Sequence, residues 1–419
     1  MSQQNTEHLD TEEQRAFRLK ARDWMKGRLP PRRMREEPVM DFSDPELVAR
    51  DRRIQKALWD GGLAGVTVPK EYGGLGLDVR FEDILHEEAE PYRLPWHFGN
   101  AFVVVLPTLL KHGSESLKKR YIPAMLKGDH VWCQLLSEPS GGSDLAGVLT
   151  NATKQGDKWV LNGSKVWTTG GNHSDMGLCL ARTDPTVAKH AGLTWFLVDM
   201  KSPGMTINPL TLLNGTVDFC QEFLDNVEVP EDHVVGQVND GWTVAQSHLA
   251  HERAGMARGW HIGLRQEAEA EHLELSQGLI ALTKRLGLDK DPHARTLVGE
   301  AFVLDMIQGL TTRRVSQGVI KGALPGAWGA VPSLLHARTS IRRSALLSEL
   351  AGPVGVAVIP GDEGPRQGMS RVMTHRIGGG TLETQLNNVA ERVLELPREP
   401  GPPRDTPFNQ LRTNAAPQR

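Results

Sequence analysis

Apolar residues recur at helical spacing through the first third of the chain. They switch to strand spacing in the middle and return to helical spacing towards the end. The first helical signal opens at Thr11, where Gln14 three residues on completes a capping box. Phe17, Ala21, Trp24 and Met25 then share one face, and Pro30-Pro31 ends the segment. A second periodic run, Pro45 to Asp60, carries Leu47, Ile54, Leu58 and Trp59 and stops at Gly61-Gly62. Val66 to Gly74 reads as a loop. Further helices are expected over Phe81 to Glu90, Phe102 to His112 and Glu115 to Leu126.

From Val131 to Gly241 the pattern predicts strands over Lys158 to Leu161, Lys165 to Thr169, Met176 to Arg182, Leu193 to Met200, Met205 to Pro209 and Leu224 to Pro230. Turn signals separate them, among them Asn162-Gly163 and Ser202-Pro203-Gly204. That spacing predicts a small antiparallel barrel or sandwich. Long helical periods follow over Trp242 to Leu286, Ala294 to Gly322 and Val331 to Leu350, consistent with an up-and-down four-helix bundle. The last twenty residues hold Pro400, Pro402, Pro403, Pro407 and Pro417 with little apolar content, so a disordered tail is expected. The fold class is mainly α with a central β domain. Its expected parts are a helical domain (1–130), a β-barrel domain (131–241), a helical bundle (242–398) and the tail (399–419).

Composition narrows the classes. A chain of 419 residues fits two or three domains. A net charge of −3 with 24% charged residues argues against a general nucleic-acid binder and against disorder. Cys133, Cys179 and Cys220 show no paired spacing, so neither a disulfide framework nor a zinc site is expected. The N-terminus is polar and acidic, and no stretch approaches the roughly 18 apolar residues of a membrane span. The expected location is cytoplasmic.

Two runs carry candidate chemistry. The first is Cys133-Gln134-Leu135-Leu136-Ser137-Glu138-Pro139-Ser140-Gly141-Gly142-Ser143-Asp144-Leu145, a backbone that can turn tightly and present N–H and O–H donors to an anion. The second is Asn162-Gly163-Ser164-Lys165-Val166-Trp167-Thr168-Thr169, read as a strand pair around an Asn-Gly turn that ends in a Trp and two hydroxyls. Taken alone, the first is a surface turn and Trp167 a core aromatic at a strand end. Together they suit a flavin, whose ring needs an apolar wall and whose diphosphate needs donors.

These runs resemble the flavin-binding middle domain of acyl-CoA dehydrogenases, and other segments match that family in the same order. Gly62 to Gly76 resembles the amino-terminal signature, Asp225 to Pro230 the exit strand and Gly241-Trp242 the start of the bundle. Gly378-Gly379-Gly380-Thr381-Leu382-Glu383-Thr384-Gln385 leads to Ala390 to Arg398 at the end. The resemblance implies FAD held by Leu136, Ser137, Gly142 and Ser143, with Trp167 along the flavin and Thr169 near its N5. Thr381 and Glu383 match positions that contact the nucleotide half. Ser143 also matches a substrate contact. The implied reaction is α,β-dehydrogenation of an acyl-CoA to the trans-2-enoyl-CoA, with electrons passed to an electron-transfer flavoprotein or similar acceptor.

That reaction needs a base. Many family members place a Glu before the Gly-Thr pair of the C-terminal loop, where this chain has Gly379. Other members place it on the first bundle helix before an Arg, and Glu252-Arg253 occupies that place. Bare, such a pair reads as a solvated helix face. The resemblance makes Glu252 the expected base, leaves Gly379 a main-chain donor to the thioester carbonyl, and associates Arg253 with substrate.

The chain departs from the family at Ala281 to Gly287, which lacks a Phe, and at Ser348 to Gly355, which lacks a Gln and a second Gly. Those positions reach a neighbour's FAD in homotetramers, so the ordinary cross-subunit contacts are not expected, and the assembly is expected to be a homo- or hetero-oligomer, a dimer or tetramer. A bacterial subgroup with this Gly-Gly-Gly-Thr ending includes heteromeric enzymes acting on bulky acyl chains such as steroid side chains. Three readings stay open: a competent dehydrogenase, a non-catalytic or flavin-sharing partner subunit, and a flavin oxidase or monooxygenase. An acyl-carrier protein could replace CoA.

Overall fold

The computed structural model describes residues 10–31, 44–213, 216–258, 278–355, 377–398 and 400–411. The N-terminal helices are α1 (Glu12–Met25), α2 (Pro45–Asp60), α3 (Val79–Ala89), α4 (Leu106–His112) and α5 (Glu115–Lys127). The capping box at Thr11 is present, with Gln14 N donating to Thr11 Oγ1 at 3.2 Å and Thr11 N donating to Gln14 Oε1 at 3.0 Å. Phe17, Ala21 and Met25 of α1 pack with Ile54 and Leu58 of α2 and with Phe81, Ile84 and Leu85 of α3. Just before α4, Ala101–Val105 forms a π-helical turn. Pro107 has no N–H to offer the carbonyl four residues back, and a widened turn at that place accommodates the loss.

The middle of the chain forms β1 (Trp132–Leu135), β2 (Asn151–Gln155), β3 (Lys158–Thr169), β4 (Met176–Arg182), β5 (Leu193–Asp199), β6 (Met205–Leu210), β7 (Phe219–Pro230) and β8 (Val234–Val235). The strand order is β6-β7-β3-β2-β4-β5-β8, with β1 added in parallel to β4. The expected barrel is absent, because β6 and β8 are free ends of an open sheet. β2 meets β4 at one residue pair, Asn151 with Arg182, and the sheet bends there. Cys179, Ala181, Phe196 and Val198 face inward onto Trp159, Leu161, Leu224 and Val227 of the opposing strands. Leu178, Leu180, Trp195 and Leu197 face the other way, onto Leu109, Leu117, Tyr121 and Ile122 of α4 and α5. β4 and β5 are thus covered on both sides, which is why they read as continuous apolar runs rather than alternating ones.

A second correction concerns Asn162-Gly163, which is no turn. β3 is one strand of 12 residues, bulged where Leu161 and Gly163 pair with β7 out of register. A Cβ on Gly163 would stand 2.4 Å from Thr150 Oγ1, so a close approach requires the glycine. Asn162 Oδ1 accepts from Asn226 N at 2.8 Å and pins the bulge to β7. The hairpin between β2 and β3 turns instead at Gly156, with φ of +64°.

The last region contains α6 (Gly241–Arg258), helical residues 278–285, α7 (Pro292–Ile320), α8 (Ala330–Ala351) and α9 (Leu382–Arg392). Val244, Ala245 and Leu249 of α6 pack with the helices and strands of the preceding domains. A separate core joins Leu279 and Leu282 to Leu297 and Ala301 of α7 and to Leu346, Leu347 and Leu350 of α8. The middle of the expected Trp242 to Leu286 helix, 259–277, lies outside the described residues. No described helix is long and apolar enough to cross a membrane.

Part of the expected disordered tail is ordered. Phe408 N donates to Val187 O at 2.8 Å and Asn409 N to Pro185 O at 3.0 Å. Phe408 is buried under the guanidinium of Arg182, whose Cζ lies 3.5 Å from the ring centroid. Arg182 also donates to Val148 O, Lys189 O and Ala146 O at 3.3, 3.1 and 2.6 Å. Burial pulls its pKa down to about 10. Composition missed this contact because one aromatic among prolines gives no periodicity. Phe408→Ala should cost about 2–4 kcal/mol through the lost ring and the lost cation–π contact. Urea denaturation followed by tryptophan fluorescence checks this; a loss below about 0.5 kcal/mol would mean the tail is not anchored there.

Candidate active site

The two glycine- and hydroxyl-bearing runs meet through a buried ion pair. Lys165 Nζ, on β3, donates to Glu138 Oε1 at 2.8 Å, to Leu136 O at 3.1 Å and to Leu180 O at 2.8 Å. Glu138 also accepts from Leu149 N at 2.6 Å and Thr150 N at 2.9 Å. Burial works to raise the Glu138 pKa, but Lys165 and the two N–H donors outweigh it and hold the carboxyl below its ordinary range. All three protons of the ammonium find acceptors, which is the condition for a buried cation to be tolerated.

This pair fixes the loop that follows β1. Glu138 and Gly141 exchange backbone hydrogen bonds at 3.1 and 2.9 Å, closing a tight turn over Pro139-Ser140. Val166 N donates to Ser137 O at 2.9 Å, which ties the loop to β3. Leu136 and Ser137 are half-buried, and Gly142 and Ser143 are exposed. A Cβ on Gly142 would stand 2.9 Å from Ser137 Oγ. Trp167 is 56% exposed, with its ring edge-on to Phe219 at 6.1 Å, and Thr169 is half-buried beside it on β3. Leu136, Ser137, Gly142, Ser143, Trp167 and Thr169 are thus carried by one loop and one strand locked together. An indole left open at the end of a strand, next to a glycine loop rich in donors, fits the flat ring and diphosphate of FAD.

Sheet contacts also place the helix that carries Glu252. Trp195 Nε1 of β5 donates to Gly241 O at 2.8 Å. A Cβ at Gly241 would come within 2.7 Å of the Leu193 carbonyl, so α6 starts against the strand only because that residue is glycine. One turn before Glu252, His248 is fully buried and stacked on Trp195 with ring centroids 4.7 Å apart. Its Nε2 lies 2.7 Å from Gln134 Oε1 and its Nδ1 3.0 Å from Thr108 Oγ1. Burial, with His251 adding to it, pulls the His248 pKa down to about 3, so the ring bridges β1, α4 and α6 as a neutral imidazole. Glu252 is half-buried on this helix. Arg253 follows it, and its side chain lies outside the described residues.

The C-terminal residues sit on a different element. Gly378 and Gly379 are exposed, and Gly379 has φ of +68°. Gly379 O accepts from Gln385 Nε2 at 3.0 Å. Thr381 caps α9, accepting from Thr384 N at 3.1 Å, and Glu383 is exposed in its first turn. The helical neighbour of α9 is α8 rather than the sheet. Within one chain the structure therefore unites the flavin runs with the Glu252 helix, while Gly379, Thr381 and Glu383 form a second group.

Fold and site together define an acyl-CoA dehydrogenase-type flavoprotein. Residues 11–129 match the N-terminal domain of acyl-CoA dehydrogenases, 133–227 the middle domain and 239–394 the C-terminal domain. The chain belongs to the acyl-CoA dehydrogenase family and is an oxidoreductase. Acyl-CoA dehydrogenase IpdE1 of Mycolicibacterium smegmatis is 32% identical over 409 residues, 91% of this chain and 98% of that protein. Acyl-CoA dehydrogenase FadE34 of Mycobacterium tuberculosis is 38% identical over 349 residues, 83% of this chain. The chain spans about half of that relative's length, 47%. The solved Tcur3481-Tcur3483 steroid ACAD superposes with a TM-score of 0.76 at 28% identity, over 93% of this chain and 99% of that one.

Glu138, Lys165, Gln134 and His248 escaped the sequence reading. The first three lie inside the two runs, but nothing in spacing says that a Lys and a Glu 27 positions apart meet in the interior. Lys165→Met should strand the Glu138 charge and cost about 3–5 kcal/mol, together with FAD affinity. The Glu138 pKa is depressed on folding, so its contribution is present above about pH 4.3 and lost as pH falls through the folded value. Chemical denaturation at pH 7 and pH 3.5 checks both. A Lys165→Met protein as stable as wild type at pH 7 would show that the pair does not organise the loop.

Proposed function

We propose that the protein is an FAD-dependent acyl-CoA dehydrogenase that uses Glu252 to take the α-proton of a bulky acyl thioester. Family membership supports the class of reaction. The observation that carries the finer reading is the placement of Glu252, half-buried on a helix anchored to the same sheet that holds the two flavin runs. The C-terminal loop offers no carboxylate at Gly379, and its left-handed backbone suits glycine.

Leu136, Ser137, Gly142 and Ser143 would supply donors to the cofactor, Trp167 its apolar wall and Thr169 a hydroxyl beside the ring. Bound FAD supplies the hydride acceptor that no side chain of the protein can replace. Glu252 would accept the proton. Gly379 retains its N–H as a donor for the charge that develops on the thioester oxygen. Thr381 and Glu383 would meet the nucleotide half, and Arg253 the substrate. An electron-transfer flavoprotein or similar protein takes the electrons.

The steroid in the name of the Tcur3481-Tcur3483 relative supports a polycyclic or branched acyl group, as does the missing side chain at Gly379. That relative's two-part name also supports a reading in which this chain works beside a second subunit. α7 leaves Phe302, Val303, Met306, Ile307 and Leu310 exposed, an apolar stripe suited to such an assembly.

Glu252→Gln should slow anaerobic bleaching of the flavin by acyl-CoA at least about 10³-fold while FAD affinity stays within about twofold. Near-normal bleaching would move the base elsewhere or favour the non-catalytic subunit. Gly379→Glu should lower activity more on steroid-like acyl-CoAs than on short straight ones. It should also cost about 1–2 kcal/mol, because a residue with a Cβ resists φ of +68°. Equal loss on both substrate classes would remove the pocket argument.

A further inference from the structure

The end of β3 carries an uncommon backbone. Trp167 has φ of +65°, a conformation that bulky residues rarely take, and the pairing of β3 with β7 slips there between Val166 and Thr168. Something must hold this bulge. The adjoining Thr168 turns inward, is buried, and donates from Oγ1 to Glu222 Oε2 at 2.6 Å. Glu222 is fully buried on β7, opposite Lys165. Lys165 gives its hydrogen bonds to Glu138, Leu136 and Leu180 and none to Glu222. Glu222 Oε1 has no hydrogen-bond partner among the described residues, and a Cβ on Gly171 would stand 2.4 Å from it. A buried carboxyl is costly, and its hydrogen bond with Thr168 leads straight to the bulge.

We propose that Glu222 is a positioning residue for the flavin site: through Thr168 it holds the reversed backbone at Trp167 and so sets where Trp167 and Thr169 meet the cofactor. The inference rests on the flavin site proposed above. Neither Glu222 nor Thr168 needs to touch the cofactor for this. They act from the inner face of the strand, with Trp167 and Thr169 on either side of Thr168.

The same carboxyl makes the arrangement sensitive to pH. The groups facing it are Lys165 on β3, Cys133 on β1, Cys179 on β4 and Cys220 on β7, with His173 on the turn packed against β7. Burial pushes the Glu222 pKa up to about 7, against the opposing pull of Thr168 and Lys165. Burial likewise raises the three thiols, Cys179 and Cys220 to about 11 and Cys133 well upward, so none of them charges first. The folded pKa lies above the unfolded one. Stability linked to this group is therefore full below about pH 4.3 and is lost as pH rises towards 7.

The test uses the full chain and FAD. Wild type, Thr168→Val, Thr168→Ser and Glu222→Gln are titrated with FAD at pH 6 and pH 8, and visible circular dichroism of the bound flavin is recorded. Thr168→Val keeps shape and loses the donor; we expect FAD affinity to fall about tenfold, with an altered flavin dichroism, in a protein whose far-ultraviolet spectrum is unchanged. Thr168→Ser restores the donor and should restore both. Wild-type affinity should differ between the two pH values, and Glu222→Gln should abolish that difference. If wild type binds FAD but Thr168→Val matches it in affinity and dichroism, the positioning role is wrong while the flavin site stands. If wild type binds no FAD at either pH, both readings fall together.

Discussion

One buried ion pair carries much of this molecule. Lys165 and Glu138 lie in the interior at 2.8 Å, and each also satisfies backbone groups that would otherwise be stranded. Lys165 binds the carbonyls of Leu136 and Leu180, so β1, β3 and β4 are held in one register. Glu138 binds the N–H groups of Leu149 and Thr150, so the loop that leaves β1 is closed before β2 begins. A hydrophobic pair of similar size could fill the space but could not hold four backbone groups from three separate segments. The pair costs desolvation energy, and what it secures is the shape of the loop rather than net stability.

From that anchor the other parts of the site follow mechanically. β4 and β5 are apolar on both faces, so the helices α4, α5 and α6 can pack on the side away from the inner core. Trp195 then reaches through to the start of α6, and His248 bridges back to Gln134, two residues before Leu136. The helix bearing Glu252 and the strand leading into the glycine loop are therefore positioned by the same few contacts. A neutral imidazole suits this task, because it reaches polar partners on both sides without a charge to solvate.

The open edges of the sheet are managed locally. β8, at one edge, is a two-residue strand; away from the edges, the segment at 400–411 lays Phe408 against Arg182 at the end of β4. A short edge strand limits unwanted pairing. The covering residues lie in a proline-rich stretch, where neither helical nor strand periodicity can be read. Their order comes from one aromatic side chain meeting a cation whose carbonyl partners were already in place.

Local pattern determined the elements themselves. The capping box at Thr11, the helix stops and the apolar runs of β4 and β5 were legible because each depends on neighbours within a few residues. The order of motifs was equally legible, and with it the family. Tertiary structure decided what depends on distant partners. It made Asn162-Gly163 a bulge rather than a turn, since Thr150 and β7 press on that point from other parts of the chain. It left the sheet open, with β6 and β8 as free ends and helices packed on the face away from the inner core. It paired Lys165 with Glu138, set His248 beside Gln134, and placed Glu222 against Thr168. Each of these joins residues far apart in sequence, and burial or charge acts on them only once the chain has brought them together.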